Sequence, residues 1–249
     1  MRNPTGVLLG RMMRTILRSP DTIITVAITP IMMMLLFVYV FGGAIQTGTG
    51  PYINYLLPGI LLIAIASGIA YTSLRLFTDV KSGLMARFMT MPIKRSSVLW
   101  AHVLTSLVSN ALTVLVVILV ALVMGFRSHA DLLHWLAAAG ILGVFTMALA
   151  WLAVITGLTA RSMEGATAYS YPLIFLPFIS SAFVPTETMP QIVRAFAEHQ
   201  PVTSIVNSIR ALLYEGTVGS EIWTALAWCI GIMIVSYFVA RRAFKHQLG

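Results

Sequence analysis

The stretch YLLPGILLIAIASGIAYTSLR, from Tyr55 to Arg75, carries no charged side chain before its last residue. A helix of about 20 such residues is long enough to cross the hydrocarbon core of a bilayer, which is about 30 Å thick. Shortly after it comes KSGLMARFMTMPIKRSSVLW, from Lys81 to Trp100, with four basic residues and no acidic one. An apolar run followed by a short basic segment predicts a transmembrane helix that ends at a positively charged membrane face.

The rest of the chain repeats this pattern. Of its 249 residues, 58% are hydrophobic and 10% are charged, whereas soluble domains carry about 25% charged residues. Six stretches meet the length and apolarity of a membrane span: 22–42, 55–75, 102–124, 134–158, 167–184 and 222–240. The fifth contains Pro172 and Pro177, which are expected to kink it. We therefore predict an all-α membrane protein with six transmembrane helices in a single domain, residues 1–249.

The segments between these spans alternate in charge. The N-terminal segment, residues 75–97, residues 159–166 and the C-terminal tail together carry a net charge of +10, and the other connections carry −2. Cytoplasmic loops of membrane proteins are enriched in Lys and Arg. The charges therefore predict a multi-pass protein with both termini in the cytoplasm.

Several function classes are disfavoured by the same residues. The net charge of +8 does not indicate nucleic acid binding, because the charges cluster at the ends of apolar runs, where lipid headgroups lie. All eight acidic residues lie outside the spans or at their boundaries, whereas ion-coupled carriers usually hold an ionisable group at membrane depth. The chain has no HExxH or GxSxG motif, and its five histidines lack metal-ligand spacing. We expect no metal or cofactor in this chain.

Short amphipathic segments flank the spans. In residues 6–19 the arginines fall on one helical face and Leu, Met and Ile on the opposite face, which predicts an interfacial helix within residues 1–21. In the connection 185–221, one apolar stripe is formed by Ile192, Val193 and Phe196. The second apolar stripe of this connection is formed by Ile205, Ile209, Leu212 and Leu213. Both are far shorter than a span, so we predict re-entrant or surface helices that cap the outer side.

The basic segment after the second span also has an apolar ridge. Leu84, Met85, Phe88 and Met89 follow helical spacing, and Pro92 ends the helical pattern. Positive charge alone would orient the protein. An apolar ridge in the cytosol is costly unless membrane or another protein covers it, so this segment predicts a contact surface.

These features, in this order, resemble the permease subunits of ABC-2 type exporters, especially the daunorubicin-resistance-like branch. One block that carries the resemblance is FTDVKSGLMARFMTMPIKRSSVLWAHVL. Its matching positions are Asp79, Gly83, Arg87, Pro92 and Arg95. The other block begins at the proline-bearing fifth span. Its matching positions are Pro172, Pro177, Pro185, Met189, Pro190, Pro201 and Arg210. Two positions depart mildly from the common pattern, because many members have Glu in place of Asp79 and Asn in place of Gln200.

The resemblance implies that residues 79–95 form a coupling helix that docks on an ABC ATP-binding subunit. The coupling residues would be Asp79, Gly83, Arg87, Phe88, Pro92 and Arg95. The chain has no G-x-x-x-x-G-K-[ST] motif to hold ATP phosphates. ATP and Mg²⁺ would therefore bind a separate subunit, and this chain would not itself be an enzyme. The resemblance further implies a second permease chain, identical or paralogous, in a bacterial plasma (inner) membrane.

The spans offer no charge that would hold a strongly ionic cargo, so a lipophilic or amphipathic small molecule is expected to be exported. Candidate wall residues are Tyr71, Phe175 and Phe178, although aromatic residues at helical spacing commonly serve packing alone. A polyprenyl-linked glycan is the alternative cargo. A membrane scaffold or an intramembrane enzyme that works without an ATPase is the alternative from a different class.

Overall fold

Five long helices form the body of the protein. The computed structural model describes residues 10, 20–45, 50–85, 95–215 and 219–248. The long helices are α1 (Pro20–Leu35, continued by a π-helical turn Leu36–Phe41), α2 (Tyr52–Lys81), α3 (Arg95–Val123), α4 (Leu132–Thr159) and α9 (Glu221–Leu248). Each is long and apolar enough to cross a membrane. Within the described residues there is no strand, so the predicted all-helical class is confirmed, whereas the count of six spans is not.

The second long helix, α2, lies at the centre of the bundle. In its most apolar stretch 83% of the residues are buried, against 61% in α4, 28% in α3, 22% in α1 and 17% in α9. A helix that is apolar on every side lies in a protein core or in a membrane, and the burial of α2 places it in the core. The sequence from Tyr55 to Arg75 therefore forms the core of the fold, and α1, α3 and α9 present most of their apolar surface outward.

The predicted fifth span, 167–184, is divided into short pieces. These are α5 (Met163–Ala168), α6 (Ser170–Phe175) and a 3-10 turn (Leu176–Ile179). The 3-10 turn has Pro177 in its first turn, and Ser180 after it is extended. A proline has no N–H to continue the hydrogen-bond ladder of an α-helix. The prolines thus do more than kink this segment, because regular helix ends there.

The connection before α9 contains two helices with different environments. In α7 (Gln191–His199) the stripe of Ile192, Val193 and Phe196 is exposed. In α8 (Pro201–Arg210) and the π-helical turn that follows, the stripe that begins at Ile205 is fully buried against the bundle. The short helices are therefore present, but only the second uses its apolar stripe for packing within this chain.

Close packing around α2 depends on small residues and on paired hydroxyls. Thr72 donates a hydrogen bond to Ser106 of α3 at 2.8 Å, and the hydroxyls of Ser73 and Thr156 of α4 are 2.9 Å apart. Gly157 lies so close to α2 that a Cβ there would be 2.8 Å from the carbonyl oxygen of Ser73. Small residues and interhelical hydrogen bonds are what hold helices together where water is absent.

At the start of α2, Arg210 joins three parts of the chain. Its guanidinium donates to the carbonyl oxygens of Ser181 at 2.7 Å and Tyr55 at 3.1 Å, and to the side-chain oxygen of Asn207 at 3.1 Å. It also lies 3.7 Å from the centre of the Tyr55 ring. A planar guanidinium satisfies several acceptors and an aromatic face at once. Arg210 therefore fastens α8 and the segment after α6 to the first turn of α2.

The helices extend beyond the predicted spans at both ends. Thus α2 reaches Lys81 and α3 begins at Arg95, whereas the predicted spans end at 75 and begin at 102. At the start of α4, Asp131 accepts a hydrogen bond from the backbone N–H of His134 at 3.0 Å, which lowers the pKa of this carboxyl group. The predicted interfacial helix 1–21 lies almost entirely outside the described residues.

The glycine contact between α4 and α2 predicts a large difference between two glycines of one helix. Gly157→Ala should lower the free energy of unfolding by about 1–3 kcal/mol, because the added methyl group overlaps backbone. Gly140→Ala should be neutral or slightly stabilising, because nothing lies within 4 Å of its Cβ position. Thermal unfolding of the purified full chain in detergent compares the two. Equal melting temperatures would contradict the packing of α4 on α2.

Replacing the guanidinium of Arg210 should also destabilise the chain. Arg210→Lys keeps the charge but loses the fork, and we expect a loss of about 1–3 kcal/mol in the free energy of unfolding. The control is Arg194→Lys, since Arg194 makes an exposed ion pair with Glu198 at 2.7 Å. This substitution should change the free energy of unfolding by no more than about 0.5 kcal/mol. The same unfolding measurement serves, and a control as unstable as Arg210→Lys would refute the proposed fastening.

Candidate coupling site

The predicted coupling segment begins inside α2. Asp79 lies in the last turn of this helix, which ends at Lys81. Gly83, the second residue after the helix end, has a φ of +72°. The backbone N–H groups of Ser82 and Gly83 donate to the carbonyl oxygens of Thr78 and Val80. A residue in the left-handed region just past a helix end is the common helix stop, and glycine adopts it without strain. Gly83 therefore turns the chain out of α2 at a fixed point.

Asp79 is linked to the first part of α3. Its carboxylate oxygen Oδ2 lies 3.4 Å from Nε2 of His102, whose side chain is fully buried. Arg75, one turn earlier on α2, is close enough to interact electrostatically with both. A buried charge is stabilised by an opposite charge nearby, as Arg75 is by Asp79. The three side chains thus join α2 and α3 at the base of the segment that connects them.

The remaining predicted coupling residues lie mostly outside the described residues. Arg87, Phe88 and Pro92 lie outside the described residues, and the backbone of Arg95 begins α3. The first half of the apolar ridge is described. Met85 is fully buried in the core and Leu84 packs against it, so this chain itself covers these two side chains.

The end of the bundle that carries Arg75, Lys81, Arg161 and the C-terminal part of α9 is termed the basic end. Lys81 lies 5.8 Å above the ring of Phe77. Besides Asp79, the acidic group described at the basic end is Glu164, in the first turn of α5. Its own backbone N–H and the Ser162 hydroxyl hydrogen-bond this exposed carboxyl group and lower its pKa. The surface of this end is therefore predominantly cationic near neutral pH.

Two of the three predicted wall residues lie together. The rings of Phe175 and Phe178 are 6.1 Å apart, and Phe178 stacks on Phe183 at 4.5 Å. Phe37 of the first long helix reaches the same group, 4.7 Å from Phe183 and 6.2 Å from Phe178. Phe175 is 60% exposed. Tyr71 is half-buried in α2 and does not belong to this cluster.

Sequence reasoning missed several of these partners. His102 lies within a predicted span, and an ionisable residue at such a position itself indicates a polar partner nearby. Phe37 and Phe183 had no signal beyond their apolarity. A further cavity of about 390 Å³ lies between α2, α3 and α4, with Asn110 and Thr146 as its polar lining residues. Among the described residues, no group of His, Cys, Asp and Glu could hold a metal ion.

Comparison with known proteins agrees with this architecture. The family model described as ABC-2 type transporter matches residues 4–214. The chain is 29% identical over 235 residues to a daunorubicin resistance ABC transporter permease of Streptomyces coeruleorubidus, covering 92% of this chain and 81% of that protein. It is 28% identical over 222 residues to a probable doxorubicin resistance ABC transporter permease of Mycobacterium tuberculosis, covering 88% and 79%. The chain therefore belongs to the ABC-2 type transporter family.

Proposed function

We propose that this chain is the membrane-spanning subunit of an ATP-driven exporter of lipophilic or amphipathic small molecules. The proposal is carried by the family match over residues 4–214, and the contact of Asp79 with His102 at the base of the segment 82–94 supports a route for the force. A force applied to that segment would act on α2 and α3 together. Since α2 is the most buried of the long helices, its displacement would change the packing of the whole bundle.

The force would come from a separate ABC ATP-binding subunit docked on residues 79–95. ATP can shift the equilibrium between two conformations only if it binds them with different affinity. The chain has no phosphate-binding motif of its own. We therefore expect two copies of this chain, or this chain and a paralogue, to assemble with two ATPases in the bacterial plasma membrane, with the basic end in the cytoplasm.

The cargo is proposed from the relatives and from the aromatic cluster. The two relatives are described as permeases for daunorubicin and doxorubicin resistance. The half-exposed rings of Phe175 and Phe178 offer flat apolar surface to a planar amphiphile. Lipids of the membrane share this amphipathic chemistry. A polyprenyl-linked glycan would need more polar contacts than the described rings supply, so we favour the small amphiphile.

Docking of the ATPase should depend on Arg87 and Phe88 of the segment 82–94. We expect the double variant Arg87→Ala/Phe88→Ala to insert normally but to lose at least tenfold in retention of the ATPase, since a buried charged or aromatic anchor commonly contributes about 2 kcal/mol or more. Copurification of the ATPase with the tagged permease measures this. The matched control is Arg161→Ala/Met163→Ala, an exposed cation and an exposed methionine in the other connection at the basic end. Full retention by the first double variant would refute docking at this segment.

The link behind the docking segment should affect transport without affecting assembly. Asp79→Asn keeps the shape of the side chain but removes the carboxylate that lies 3.4 Å from His102, so the polar contact between α2 and α3 weakens. We expect at least a threefold drop in daunorubicin transported per ATP hydrolysed by reconstituted vesicles, with ATPase retention unchanged, because a buried polar contact contributes about 1 kcal/mol. Glu164→Gln, an exposed carboxylate at the same end, should leave the ratio unchanged. An unchanged ratio for Asp79→Asn would contradict the proposed force transmission.

A further inference from the structure

The C-terminal part of α9 carries a cluster of basic residues that the proposed transport mechanism does not use. Arg241, Arg242 and Lys245 are exposed and line one concave surface of about 330 Å³ together with Phe238. Within the described part of the chain no acidic residue lines this surface. Three cations held within about one helical turn without a lining acid indicate a site for an anionic group.

An apolar slot lies directly beside this basic surface. It has a volume of about 170 Å³ and is formed by three helices. Its lining residues are Trp100 from α3, Trp151 from α4, and Met233, Ile234, Tyr237 and Phe238 from α9. Trp151 meets the rings of Trp100 and Tyr237 edge-on, with ring centres 5.1 Å and 4.8 Å away. Edge-to-face contacts of this kind favour one relative orientation of the rings. The slot is therefore a well-defined apolar groove.

The slot and the basic surface form one site. Phe238 lines both, and the guanidinium of Arg241 lies 5.6 Å from the ring centre of Tyr237. Ile234, Phe238 and Lys245 follow helical spacing along one side of α9, which is where an apolar chain and its charged end would lie. On that helix Ile234 is 49% exposed and Phe238 is 63% exposed, so the site is open at the side of the bundle.

The position of the site relates it to the membrane surface. A helix of 28 residues is about 42 Å long, longer than the hydrocarbon core of about 30 Å. The end of α9 therefore extends to headgroup depth, while Ile234 and the slot remain among acyl chains. Basic residues at that depth attract anionic lipids.

We propose that this site binds an anionic phospholipid of the leaflet at the basic end, with its headgroup at Arg241, Arg242 and Lys245 and one acyl chain in the slot. The bound lipid bridges α3, α4 and α9. A ligand that binds the folded state stabilises it, so the lipid would hold together three helices of which two are mostly exposed. The inference does not rest on the transported cargo or on an ATPase.

The tryptophans of the slot provide a direct test with the full-length chain alone. In a Trp135→Phe/Trp223→Phe/Trp228→Phe background, Trp100 and Trp151 are the fluorescent reporters. The protein is placed in phosphatidylcholine vesicles that contain a minor fraction of phosphatidylglycerol or phosphatidylcholine brominated on the acyl chains. Bromine quenches tryptophan on contact, so we expect stronger quenching by the brominated phosphatidylglycerol. Equal quenching by both lipids would overturn the proposal.

Charge variants identify the headgroup contacts. In the same background, Arg241→Gln/Arg242→Gln/Lys245→Gln should bind phosphatidylglycerol at least about tenfold more weakly relative to phosphatidylcholine, since each basic residue at an anionic surface contributes roughly fivefold. Arg161→Gln, at the same end, should keep the preference. A preference that survives the triple variant, or that Arg161→Gln abolishes as fully, would overturn the site.

A second measurement guards against failure of the tryptophan background. Native mass spectrometry of the otherwise unmodified chain should show retained phosphatidylglycerol, and the triple glutamine variant should lose it. Glycerol 3-phosphate at the same concentration should not displace the lipid. Displacement by this soluble headgroup would mean that the surface binds a free phosphate, and the lipid proposal would fail.

Discussion

The structure depends above all on the pairing of polar side chains along the buried helix α2. In a bilayer interior every polar group must find its partner within the protein, since an unsatisfied one costs several kcal/mol. The hydroxyl pairs Thr72–Ser106 and Ser73–Thr156 meet this requirement, and each joins α2 to a different neighbour. They require a close approach of the helices, which Gly157 provides by leaving room for the backbone of α2. The burial of α2 is therefore a consequence of small and hydroxyl residues as much as of its apolarity.

The same helix connects the two ends of the bundle. Its 30 residues span about 45 Å. At its start Tyr55 is held by Arg210, and Tyr52 donates a hydrogen bond to the carbonyl oxygen of Phe183 at 2.9 Å, next to the phenylalanine cluster. At its other end Asp79 meets His102. A packed helix moves as a unit, so α2 would connect the proposed coupling residues mechanically with the aromatic cluster.

Five of the six predicted spans coincide with long apolar helices, because apolarity over about 20 residues is a strong signal. The helices continue past the predicted spans at the end of α2 and at the start of α3, since these turns contain polar residues that a span search excludes although they remain helical. The contact of Asp79 with His102 could not be predicted, because it depends on the register of two helices across an intervening segment. Likewise, the contact of Phe37 with Phe178 and Phe183 depends on the fold. No feature of the sequence indicates that Met85 is buried within its own chain.

The positive-inside rule sums basic residues that the fold treats differently. Arg75 is half-buried in the cluster of Asp79 and His102, whereas Arg241 lies over Tyr237 on the outside of the bundle. Both add one charge to the basic end, yet the first belongs to the proposed path of force through α2 and the second to the proposed lipid site. The number of basic residues in the connections predicts the orientation of the chain in the membrane. The further role of each basic residue depends on the side chains that surround it.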